Sequence, residues 1–160
     1  MKLKIAQCVN ILLLLLVTGV FWGTWFSLSR SIASIAPQTF LAIGRIMIGN
    51  LAGPMPVLMP LALLSTLPVL FLLYRQKLLK AFCLTLVGLS LFVVALLATL
   101  LVNVPIDSQI AKWTVETLPS DWESVRRHWE SYHTLRTFAS LTGFGFILIS
   151  ALLLSDKQSK

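Results

Sequence analysis

The side chains best suited to chemistry lie in one short segment: Trp122, Arg126, Trp129, His133 and Arg136. On a continuous helix their spacing gathers them within about 80° of arc. One stripe thus carries two indoles, two guanidiniums and an imidazole. An imidazole exchanges protons near neutral pH, a guanidinium holds an oxyanion through a planar fork of donors, and an indole is an apolar wall with one polar tip. His128 points about 140° away from His133, so the two histidines are not a pair on one face. Glu123 with Arg127, and Arg126 with Glu130, have the four-residue spacing of solvated ion pairs.

Asn103 and Asp107 form a second polar set, one helical turn apart in LVNVPIDSQI, where Pro105 ends an apolar run. Two antiparallel helices would bring this set to the depth of His133 and Arg136. In an acid–base site His133 takes a proton from a substrate and Asp107 or Asn103 orients it. Arg136 with Arg126 stabilises the oxyanion, and Trp113, Trp122 and Trp129 line the pocket. The competing reading has the arginines snorkelling to lipid headgroups, the tryptophans forming an interfacial belt, and His133 as a hydrogen-bonded structural residue.

The elements that must position these groups are membrane helices. Of 160 residues, 57% are hydrophobic and 12% charged, and the mean hydropathy is +0.86. This is not a soluble composition. Four stretches, 5–28, 56–74, 81–102 and 132–154, reach the roughly 20 apolar residues a bilayer requires. The expected fold is all-α: a single domain, residues 1–160, built as a four-transmembrane-helix bundle. The first stretch is too long and too aromatic for a cleaved signal, and Gly19, Gly23 and Ser27 give it a flat face for close helix packing.

Two connections carry structure. Residues 38–50, started by Pro37 and interrupted by Arg45 and glycines, read as a helix lying at the interface or dipping in against protein. Residues 106–131 form a short helical polar cap between the third and fourth spans and contain most of the acidic residues. The cap is expected as two short helices. The first runs through Thr117, and the second starts at Ser120 or Asp121 after LPSD and continues without proline or glycine into the fourth span.

The net charge of +7 is placed for a membrane rather than for nucleic acid. Lys2 and Lys4, then Arg75, Lys77 and Lys80, then Lys157 and Lys160 fall on one side of a four-span chain. The positive-inside rule makes that side, and both termini, cytoplasmic in a multi-pass cell-membrane protein. Cys8 and Cys83 sit where thiols stay reduced and read as packing residues; no C-x-x-C pair occurs. No cofactor motif is identified: there is no nucleotide loop, haem-attachment sequence or histidine pair. A copper set of His133, Asp107, Met55 and Met59 can be drawn, but its spacing matches no known ligand pattern and the methionines read as core filling. The partners implied are membrane lipid and a lipophilic small molecule; the oligomeric state is open.

The combined motifs resemble the anthrone-oxygenase-like family of small four-helix membrane proteins, many of them bacterial. The resemblance rests on Asn103-Val-Pro-Ile-Asp107, a tryptophan shortly after, Leu118-Pro-x-Asp-Trp122, and Arg126-x-x-Trp-Glu-x-x-His133-x-x-Arg136-Thr137. Gly19-Val-Phe-Trp-Gly23 and Pro54-Met-Pro-Val-Leu-Met-Pro60 extend it over most of the chain. Many members have asparagine where this chain has Asp107, so the charge at that point differs. Fungal relatives help oxidise anthrones to anthraquinones. The resemblance therefore implies a membrane oxygenase acting on a lipophilic phenolic or quinone-like substrate; the alternative is a non-enzymatic lipid- or partner-binding subunit.

Overall fold

A computed structural model describes residues 1–29 and 31–156. Lys157 and Lys160, the third basic cluster, lie outside them, as does Arg30. Among the described residues the regular structure is entirely helical. Helix α1 (Lys2–Thr24) runs into a π turn (Trp25–Ser29), and a 3-10 turn (Ile32–Ser34) leads to α2 (Pro37–Ala52). Helices α3 (Met55–Leu64) and α4 (Thr66–Arg75) make one span, and α5 (Leu79–Ala98), a second π turn (Thr99–Asn103) and α6 (Val104–Ile110) make another. Helix α7 (Trp122–Asp156) is the last. Four of these assemblies are long and apolar enough to cross a membrane, beginning at Lys2, Met55, Leu79 and Trp122. The chain is a multi-pass all-α membrane protein, as the composition requires.

The irregularities have local causes. Pro68 has no N–H for the carbonyl of Leu64, and the second span breaks at Ser65. Asn10 of α1 reaches into the break, its Nδ2 donating to Ser65 Oγ and Thr66 Oγ1, both at 2.8 Å, and to the Ala62 carbonyl at 3.3 Å. In the third span Pro105 cannot bond the carbonyl of Leu101. The ladder widens there, and the Val104 N–H bonds the Thr99 carbonyl across a π turn.

Helices α5 and α7 form the closest antiparallel pair. A Cβ placed on Gly88 would lie 2.8 Å from the Gly143 carbonyl oxygen and 2.6 Å from Ile147 Cγ1, so the two backbones nearly touch. On the terminal side of this contact Thr85 and Ser150 share a hydrogen bond of 2.8 Å. The expected small-residue face of α1 is not used among the described residues: Gly19 and Gly23 have nothing within 4 Å of where a Cβ would stand. Helix α1 buries Asn10, Leu14, Val17, Thr18 and Phe21 instead, because these carry the volume that fills the bundle centre. Met55 and Met59 pack into the same apolar cluster. Cys8 and Cys83 are exposed and unpaired rather than packed.

The capped end differs from expectation in one respect. Helix α6 stops at Ile110, not near Thr117. Thr114 and Thr117 cap each other's backbone N–H groups with their hydroxyls, at 2.8 and 3.2 Å, a local alternative to helix that short polar β-branched residues favour. The Thr114 hydroxyl also holds the exposed Glu116 carboxyl below the usual range. Helix α2 packs on α6, and Phe40 and Leu41 join Ile32, Ile106 and Ile110 in a second apolar cluster against which Trp113, Trp122 and Trp129 rest. The second cap helix starts at Trp122 and continues unbroken into the membrane, which keeps the polar stripe in register with the span below it.

Candidate functional site

Because α7 is continuous, its stripe descends along one inward face, and Arg126, His133 and Arg136 are all buried. The facing wall is the widened end of the third span, which offers Thr99, Asn103 and Asp107 at successive turns. The antiparallel match is Thr99 with Arg136, then Asn103 and Asp107 with Trp129. Arg136 Nη1 donates to Thr99 Oγ1 at 3.2 Å, and its guanidinium lies over the Phe21 ring, 4.6 Å from the centroid. Asn103 Nδ2 donates to the Trp129 carbonyl at 3.0 Å. The Trp129 indole N–H donates to Asp107 Oδ1 at 2.8 Å.

His133 lies between these layers, fully buried. Its ring stacks on Trp129 at 4.9 Å and 18°. Arg136 Nε donates to His133 Nδ1 at 3.0 Å. A guanidinium has donors only, so Nδ1 must be the bare nitrogen of a neutral ring and the proton sits on Nε2. Among the described residues that Nε2 has no hydrogen-bond partner, and neither has the buried Asn103 Oδ1. Asp107 and Arg136 act on each other electrostatically, but among the described residues the only ion pair within 4.0 Å joins Arg127 to Glu123. The carboxyl and the guanidinium stand here without direct contact.

Arg126 leaves this group. Its guanidinium stacks on Trp122 at 4.7 Å, its Nη2 donates to the Ala33 carbonyl at 3.4 Å, and its buried Nε has no partner among the described residues. The expected pair with Glu130 does not form, since Arg126 turns inward to the indole. Trp129 and Asp107 line an otherwise apolar cavity with Leu28, Ile35, Phe40 and Met47; it encloses about 30 Å³ and reaches about 380 Å³ with its open mouth. Trp122 stacks on Phe40, and the Trp113 carbonyl accepts a hydrogen bond from Arg45; neither tryptophan lines the cavity. Residues 45–146 match the anthrone oxygenase family.

The chain belongs to that family. The matched segment contains every contact of the site between the third and fourth spans, from Thr99 to Arg136, while Phe21 and the whole of α1 lie outside it. No curated protein and no solved structure matches the chain. In this anthrone oxygenase family member no three His, Cys, Asp or Glu side chains among the described residues come together as metal ligands. His133 and Asp107 belong to the site, whereas Met55 and Met59 belong to the apolar cluster of α1 and α3.

Sequence reasoning missed Thr99 and Phe21. Thr99 stands one turn before Asn103 on the same helix, a spacing that could have exposed it. Phe21 had no signal, because an aromatic residue in a span reads as core. The apolar cavity wall was equally silent.

Proposed function

We propose that this protein is an oxygenase that takes a proton from a lipophilic phenolic or quinone-like carbon acid and lets the resulting anion react directly with dioxygen. Both termini lie in the cytoplasm and the capped end faces the outer leaflet of a cell membrane, as the basic residues at the opposite end support. The observation that carries the reading is the Asp107 carboxylate. It lines an apolar cavity, holds one indole N–H, and is engaged in no ion pair among the described residues. A carboxylate so placed is available as a base.

His133 was expected to be that base. The hydrogen bond from Arg136 occupies its only lone pair, which favours His133 as a donor and Asp107 as the proton acceptor. The reaction then balances simply. Asp107 removes a proton from the acidic methylene carbon, and the charge that moves onto the conjugated oxygen is stabilised through space by the buried Arg136, which acts electrostatically on Asp107. The carbanion gives its electrons to dioxygen, a carbon–oxygen bond forms, and the proton returns to make a hydroperoxide. Loss of the second C–H proton with O–O cleavage yields the ketone and water. One substrate CH₂ and one O₂ give one C=O and one H₂O.

A flat multi-ring substrate would lie at the open mouth of the cavity with its reacting edge towards Asp107. The test is oxygen uptake and quinone absorbance with anthrone and the detergent-solubilised protein. Asp107→Asn is expected to lower the rate by about 10²- to 10⁴-fold. A wild type no faster than a protein-free blank, or an unimpaired variant, rejects the reading.

The second reading, a lipid-binding subunit, is favoured by Arg126, whose buried Nε, away from Asp107, lacks a partner among the described residues. Anionic lipid copurifying with wild type and lost from Arg126→Gln, with no oxidation by either protein, would establish it.

A further inference from the structure

We propose that the cleft between helix α2 and residues 113–117 binds the headgroup of a phospholipid carrying both a phosphate and a primary ammonium, as phosphatidylethanolamine does. The proposal is independent of the oxidation reading, because the cleft lies on another face of α2 from the cavity that Asp107 lines. Phe40 and Met47 turn to that cavity, whereas Gln38 and Arg45 turn to the cleft, whose other wall carries Thr114 and Glu116. The cleft encloses about 220 Å³ and reaches about 460 Å³ with its open mouth. That is room for several waters, and so for a small charged headgroup.

Two opposite charges face this space without meeting. Arg45 and Glu116 both line the cleft, yet neither belongs to an ion pair within 4.0 Å among the described residues. Each is held on its own wall. Arg45 Nη2 donates to the Trp113 carbonyl, which leaves the rest of the guanidinium fork for a ligand. The Thr114 hydroxyl holds the Glu116 carboxyl ionised, below the usual carboxylate range. A ligand of one sign satisfies one wall and is repelled by the other. A zwitterion satisfies both: its phosphate takes the planar fork of Arg45, and its ammonium donates to Glu116. The ammonium is a primary one, since a quaternary ammonium has no N–H to donate and is held by aromatic faces. Among the described residues no aromatic ring lines the cleft.

The position of the cleft makes the source a lipid. Helix α2 joins the membrane-length helices that end at Ser29 and begin at Met55, and residues 113–117 follow the one that ends at Ile110. The cleft therefore stands where three spans leave the membrane. Ile46, next to Arg45, and Val115 of the lining are 64% and 46% exposed, apolar surface that the glycerol and acyl parts of a lipid can cover.

The test is native mass spectrometry of the full chain released from detergent, titrated separately with dioleoyl phosphatidylethanolamine, phosphatidylcholine and phosphatidylglycerol. In so open a cleft one ion pair changes affinity by about two- to fivefold. The wild type is expected to hold one phosphatidylethanolamine at least about threefold tighter than either other lipid. Arg45→Gln should weaken all three, because all carry the phosphate. Glu116→Gln should weaken the ethanolamine lipid most and remove its advantage over the glycerol lipid. This second variant keeps the side-chain shape at an exposed position outside the helices, so the test stays readable if Arg45→Gln loosens α2. Soluble O-phosphoethanolamine, equimolar with the lipid, should not displace it. Equal affinity of the wild type for the three lipids, or an ethanolamine preference that survives Glu116→Gln, overturns the proposal. Displacement by equimolar O-phosphoethanolamine also overturns it, because the ligand would then be a soluble zwitterion. The oxidation reading stands or falls separately, by the Asp107→Asn assay.

Discussion

Replacing Gly88 by alanine tests whether the α5–α7 contact holds the two halves of the site together. The added Cβ would stand 2.6 Å from Ile147 Cγ1, 3.0 Å from its Cδ1 and 2.8 Å from the Gly143 carbonyl oxygen. Ile147 can rotate, but the carbonyl is backbone and cannot. The helices must part by roughly half an ångström to restore van der Waals distance, and overpacking of this kind costs about 1–3 kcal/mol. Alanine also gains up to about 1 kcal/mol of helix propensity over glycine. Gly19→Ala supplies the reference, because it makes the same propensity change with nothing within 4 Å of the new methyl. The propensity gain cancels in the comparison, so Gly88→Ala should be less stable than Gly19→Ala by about 1–3 kcal/mol in a reversible SDS titration in mixed micelles. Parting the helices also displaces Thr99 and Asn103 from Arg136 and Trp129, so substrate oxidation should fall along with stability. Equal midpoints for the two alanine variants would refute the claim that this contact is tight.

Trp129→Phe keeps the ring against His133 but removes the indole N–H from Asp107. It should cost about 1 kcal/mol and sharply reduce oxidation; full activity in a folded variant would remove Trp129 from the site. Asn10→Leu deletes the three hydrogen bonds that bridge α1 to the broken second span and should lower the unfolding free energy by about 1 kcal/mol. A variant as stable as wild type would show that lipid-like packing replaces them. Reporter fusions after Gln76 and after Thr117 should signal the cytoplasm and the opposite side, respectively. A cytoplasmic signal after Thr117 would invert the proposed orientation.

How much of this was legible beforehand follows from which properties are local. Span number depends on hydropathy and length, and four spans appear where the composition put them. The inward stripe of α7 depends on helical period and on the absence of proline or glycine at its start, and Trp122, Arg126, Trp129, His133 and Arg136 do share a continuous helix. The juxtaposition of Asn103 and Asp107 with that stripe needed only an antiparallel neighbour of similar length. The end of α6 was misread, because reciprocal capping by Thr114 and Thr117 competes with a helix on nearly equal terms.

Everything that depends on which apolar face meets which was decided by tertiary structure. In a membrane chain lipid-facing and buried surfaces are equally hydrocarbon-like, so hydropathy cannot mark the core. That is why the tight packing lies at Gly88 and Gly143 rather than at Gly19 and Gly23, and why Phe21 and the cavity wall gave no signal. The same holds for the polar groups. Residue types made Arg126, His133 and Arg136 candidates, but only packing turned Arg126 onto Trp122 and Arg136 onto His133 Nδ1. A hydrogen bond's direction is set by where the partner's lone pair stands in space, and sequence periodicity carries no record of it.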